Sequence, residues 1–129
     1  MTELSPDELF FFNDHPQALA LYRPLRGALL RAAPEVRIEV KKTQISFFAR
    51  RMFAAASFLP VRRAKDRPKT YLTLTLGLPF RIESPRIDAV SEPYPGRWTH
   101  HLLLSRTEEF DEELLRWIDR AAEFASQKR

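Results

Sequence analysis

"TYLTLTLGL", residues 70–78, decides the fold. Leucine recurs at 72, 74, 76 and 78, while Tyr71, Thr73 and Thr75 fill the places between. Successive side chains of an extended chain point to opposite faces, so this alternation specifies a strand with one apolar and one polar face. The leucine face must be covered by a second layer. Gly77 marks the end of the strand or a bulge.

On the N-terminal side, Met52–Leu59 sets Met52, Ala54, Ala56 and Phe58 on one face and Phe53, Ala55, Ser57 and Leu59 on the other. Both faces are apolar, which places that strand in the middle of the sheet. Ile45–Ala49 precedes it across "ARRM", a tight turn with no glycine. Before that, Val36, Ile38 and Val40 alternate with Arg37, Glu39 and Lys41, as in a half-buried strand. "PVRRAKDRPK", residues 60–69, is a basic loop. Residues 79–96 are rich in proline and turn formers, with brief pairings expected at Ile82 and over 87–90. Trp98–Leu104 is the last strand.

The cover comes from the two ends of the chain. "SPDE" at 5–8 is a capping box, with Ser5 accepting from the amide of Glu8 and Pro6 where a missing N–H costs nothing. "NDHP" at 13–16 is a second start signal. Residues 17–33 then show helical spacing through Leu19, Tyr22, the stem of Arg26, Leu29 and Ala33. Pro24 removes one hydrogen bond and predicts a kink or restart, and Pro34 ends the helix. Thr107 or Asp111 caps a final helix carrying Leu114, Ile118, Ala121 and Ala125 on one line, flanked by Leu115, Trp117 and Phe124. The expected fold is α+β in two layers. A mainly antiparallel sheet of four to five strands carries the N- and C-terminal helices on one face, in a single domain over 1–129.

Composition bounds the chemistry. The 129 residues include no cysteine, which excludes disulfides, thiolate catalysis and cysteine-based zinc sites. Net charge is +4, unevenly spread. Residues 41–69 carry nine lysines and arginines against Asp66 alone, while the segment from Thr107 is acidic. Such a middle suits an anion-binding surface or merely a solvated edge. No apolar run nears the ~20 residues of a membrane helix, and the acidic opening does not resemble a leader. A cytoplasmic protein with no membrane partner is expected.

Three glycines are too few for a dinucleotide fingerprint or a phosphate loop, and no serine sits in a nucleophile elbow. Glu108–Glu109 and Glu112–Glu113 fall in the first turns of a helix, where negative charge complements the dipole. His100 and His101 are neighbours in a strand and so face opposite ways, which argues against a shared metal. His100 joins Trp98 inside, and His101 faces out.

What remains is a surface. His101, Thr99, Tyr71 and Thr73, with Thr75 and with Gln44 or Ser46 if those strands adjoin, form a polar sheet face, and Arg97 and Arg51 are candidates to orient an anion. Arg50, Arg62, Arg63 and Lys65 form a basic rim for an anion or for nucleic acid. The expected function is a non-catalytic binding module for a small anionic ligand, a protein or nucleic acid, with no cofactor and no metal. The alternative is a small enzyme using His101 or His100 in acid–base chemistry. A homo-oligomer hiding the same face is a third expectation.

Lys42, Thr43 and Gln44 leading into Ile45–Phe47, then Arg51–Phe53, "PYPGRWTHH" at 93–101 and Asp111–Leu115 together resemble a bacterial family of uncharacterised domains, domain of unknown function 5655. The resemblance runs from "HPQALALY" to "DEELLRWIDRAAEFA". It implies the fold, and brings no activity, cofactor or catalytic residue.

Overall fold

The computed structural model describes residues 3–127. Three α-helices, α1 (Pro6–Phe11), α2 (Leu19–Arg31) and α3 (Glu112–Ser126), accompany six strands. These are β1 (Arg37–Val40), β2 (Gln44–Phe48), β3 (Met52–Ser57), β4 (Leu72–Leu78), β5 (Ala89–Tyr94) and β6 (Arg97–Leu104). They form one antiparallel sheet in the order β1-β2-β3-β4-β6-β5, with β3 and β4 at the centre.

Six strands replace the expected four to five. The addition is β5, "AVSEPY", where only a brief pairing was expected. It lacks alternation and contains Pro93, both signals against a strand. At the sheet's edge, a proline need not break a ladder bond. Gly96, at φ +82°, turns β5 into β6, and its amide donates to the Glu92 carboxylate at 3.1 Å.

The leucine face is dry. Leu72, Leu74, Leu76 and Leu78 are fully buried, and α3 lies across β3 and β4. The residues α3 buries are largely small, Ala121, Ala122 and Ala125 beside Leu114 and Ile118, while β3 presents Ala54 and Ala56 to the same side. Small residues on both sides let helix and sheet approach closely, and each buried Leu or Ile contributes roughly 1.5–3 kcal/mol. The cap of α3 is Asp111, whose carboxylate accepts the amide of Leu114, whereas Thr107 opens a separate 3₁₀ turn.

The restart expected at Pro24 does not occur, since α2 runs through it. Pro24 and Ala20 are exposed, so the carbonyl that Pro24 leaves without its helical donor meets water, while Tyr22, Leu25 and Leu29 anchor both halves. Arg26, expected to bury only its stem, is buried whole. It ion-pairs with Glu8 at 2.7 Å, and the Tyr22 hydroxyl donates to the same carboxylate. Glu8 also completes the capping box with Ser5, which ties α1 to α2.

The second face of the sheet is partly covered as well. Residues 58–71, between β3 and β4, fold back across one end of it as a strap. The Thr73 hydroxyl donates to the carbonyl of Leu59 at 2.7 Å. Arg62 bonds Asp88 at 2.8 Å, and the other oxygen of Asp88 accepts the amide of Leu103 at 2.8 Å. Thr73 and Leu103 are buried beneath this strap.

Candidate functional site

Beyond the strap the face stays accessible around one row of the sheet. Thr75 on β4 lies opposite His101 on β6 and, on its other side, opposite Ala55 of β3, which faces Ser46 of β2. A hollow opens beside the imidazole, while Ser46 and Ala55 in the same row are fully buried. The Thr75 hydroxyl and His101 Nδ1 are 2.9 Å apart. That contact leaves Nε2 as the atom for a ligand, a donor when Nδ1 accepts and an acceptor when Nδ1 donates. Burial lowers the pKa of His101 from its ordinary value, so it is neutral near pH 7.

Gln44 overhangs the hollow. Its amide nitrogen donates to the Ser46 hydroxyl at 2.7 Å and contacts the sulfur of Met52, which fixes the carboxamide so that Oε1 is the group left to accept. Lys42 and Thr43, in the β1–β2 turn, stand at the mouth, and Lys42 makes no ion pair among the described residues. An aromatic wall closes the far side. Phe11 stacks on Phe58 with centroids 5.7 Å apart and planes 14° apart, and His15 lies on Phe58 at 4.2 Å. Asp14 completes the rim of a cleft of about 470 Å³.

The residues expected to act together are divided. His101 and Thr75 line the cleft with Gln44. Thr73 does not line it, because the strap takes its hydroxyl. Tyr71 donates to the carbonyl of Phe58 at 3.2 Å and borders a separate hollow of about 190 Å³. Thr99 lies on the same face one row further along, opposite Gly77 and Ser91. Arg97 lays its guanidinium against the bare Cα of Gly77, in the space a Cβ would need, so glycine there permits a close approach. Arg51 belongs to the other layer. It donates to the carbonyl of Phe124 at 2.6 Å and stacks on that ring at 4.9 Å, at the C-terminal end of α3.

The basic rim is divided too. Arg50 lies in the β2–β3 turn, while Arg62, Arg63 and Lys65 lie in the strap at the opposite end of β3. Arg62 is tied to Asp88, and Arg63 faces Asp66 at 3.7 Å. His100 is fully buried opposite Leu76. Its Nε2 accepts the amide of Ile82 at 2.9 Å, and Nδ1 has no partner among the described residues. Burial lowers its pKa, and no substrate reaches it. Sequence reasoning missed Phe11, Asp14, His15, Lys42 and Phe58 as lining groups. "NDHP" was legible as a helix start, and nothing local said that it would meet the β1–β2 turn.

This two-layer fold with a cleft on its polar face defines a class of small α+β domain. The chain belongs to the family described as Domain of unknown function (DUF5655), whose sequence model matches residues 10–125. No curated protein and no solved structure matches it. Among the described residues, no helix is long and apolar enough to cross a membrane.

Proposed function

We propose that the chain is a binding module whose cleft beside His101 takes a small planar molecule with a hydrogen-bonding edge and one negative group. The observation that carries this reading is the convergence of three kinds of contact in one hollow of about 470 Å³. Phe11 and Phe58 offer a ring surface, Gln44 Oε1 and His101 Nε2 offer an acceptor and a donor or acceptor, and Lys42 offers a cation. Apolar walls with a few placed polar groups are the usual make-up of small-ligand sites. A neutral His101 and the nearby Asp14 favour a singly charged ligand over a polyanion.

The test is a calorimetric titration of the wild-type protein and its variants with nicotinate and salicylate. Binding of at least one probe, weakened about tenfold or more by Gln44→Ala and by His101→Ala, supports the module. Probes that bind unchanged to both variants overturn the cleft as the site. Single-stranded nucleic acid binding with a log–log salt slope near −3, as about four phosphate contacts would give, would move the site to the strap's arginines.

One observation favours a second reading, acid–base catalysis at His101. Its Nδ1 faces a hydroxyl inside a concave site, the arrangement that a general base and its proton donor require. His101→Asn separates the two readings. A binding module keeps much of its affinity in that variant, whereas an enzyme loses turnover of the bound probe.

A further inference from the structure

We infer that the outer edge of β1 is an interface for a second copy of this chain, paired antiparallel about Ile38 to continue the sheet from one molecule into the next. β1 is an outermost strand. The Lys41 amide donates to the carbonyl of Gln44, towards β2. Because peptide groups alternate along a strand, those of Arg37 and Glu39 also point inwards, and those of Ile38 and Val40 point out of the sheet. The outward groups are a template for a further strand.

The side chains choose that strand. When Ile38 faces its own copy, Arg37 lies opposite Glu39, and two-fold symmetry repeats the pair. Every directly opposed charged pair is then of opposite sign, which stabilises a ladder. Sliding the register by two residues sets Arg37 against Arg37 or Glu39 against Glu39. Sliding by one sends the apolar residues to the wrong face. On the helix side of the edge, Val36, Ile38 and Val40 are partly buried and border a hollow of about 820 Å³ that extends past Leu30 and Pro34 to the polar Ser5 and Asp7. In this pairing the two-fold axis stands perpendicular to the sheet, so the two hollows meet across it and each receives the other copy's apolar row.

The opposite edge of the sheet is built differently. β5 is exposed, contains Pro93 and breaks register between Ser91 and Tyr94, features that discourage strand addition. β1 has neither a proline nor a bulge. Its charges alternate in sign, with Glu39 held by Arg37 at 3.1 Å and by Lys41 at 3.4 Å within one molecule. Those exposed pairs contribute little alone and can be shared with a second copy.

Sedimentation velocity of the full chain from micromolar to millimolar concentration, with amide exchange measured across the same range, tests the pairing. A reversible dimer is expected, in which the amides of Ile38 and Val40 exchange more slowly as concentration rises. Glu39→Arg and Arg37→Glu each place like charges opposite one another and should weaken self-association about tenfold. An equal mixture of the two variants restores complementary pairs and should form a heterodimer, which general damage to the fold would not produce. A chain that stays monomeric throughout overturns the proposal. So does a dimer insensitive to both variants, or one that leaves the Ile38 amide unprotected.

Discussion

Glu8 and Arg26 leave water together between α1 and α2, and neither charge is well tolerated there without the other. Glu8→Ala should cost about 3–5 kcal/mol in chemical denaturation, because it leaves a buried guanidinium unpaired. Glu8→Leu combined with Arg26→Met should cost less than that single change. Burial pushes the Glu8 pKa up, but hydrogen bonds from Arg26, Tyr22 and the Ser5 amide outweigh it and hold the group below its ordinary 4.5. Its contribution is therefore complete above pH 4.5 and is lost as pH falls through the lower folded value. His100 and His101 act earlier in an acid titration. Burial lowers both from 6.5, so their share of stability is present above pH 6.5 and lost as pH falls through their folded values. Unfolding followed by circular dichroism against pH should thus decline in two stages. His100→Gln should shrink the upper stage, leaving the part due to His101, and keep the lower one.

At the scale of elements, the strap determines how much of the polar face is usable. It is held at few points, one of them the bond from Arg62 to Asp88, whose other oxygen accepts the amide of Leu103 on β6. Thr73→Val removes one hydrogen bond and should cost about 1 kcal/mol, while Asp88→Ala also orphans a backbone amide and should cost about 2 kcal/mol. Trypsin reports the same difference. Asp88→Ala should speed cleavage after Arg62, Arg63 and Lys65 well before global unfolding, and equal rates in wild type and variant would show that the strap is held elsewhere. The ends of α3 are served by groups from distant segments. Arg86 binds Asp111 at 2.9 Å and Glu113 at 3.1 Å, which fastens the turn-rich stretch before β5 to the first turn of the helix. The acidic pairs near this helix are thus partly structural. Glu109 likewise accepts the amides of Ser105 and Arg106.

Across the whole molecule, pairing through β1 would make the melting temperature rise with protein concentration, since association stabilises only the folded chain. The Glu39→Arg variant should lose that dependence while melting as wild type does at high dilution. Much of the architecture was legible in the sequence: β4 from its leucines, the central place of β3 from its two apolar faces, α3 from its cap and spacing, and α2 from its spacing alone, since Ala18 at its start supplies no side-chain cap. β5 was hidden because Pro93 is a breaker in a central strand and harmless at an edge, and edge position is not written locally. For the same reason His101, Thr75 and Gln44 could be placed on one face, but Phe11, His15, Phe58 and Lys42 could not be joined to them. The sequence by itself determined which side of β1 and β4 packs beneath the helices, because alternation is a property of neighbouring residues. Only the tertiary structure decided what covers the polar side and what is left as a cleft. The strap, the N-terminal segment and the β1–β2 turn lie far apart along the chain, and they meet only because the sheet brings their ends together.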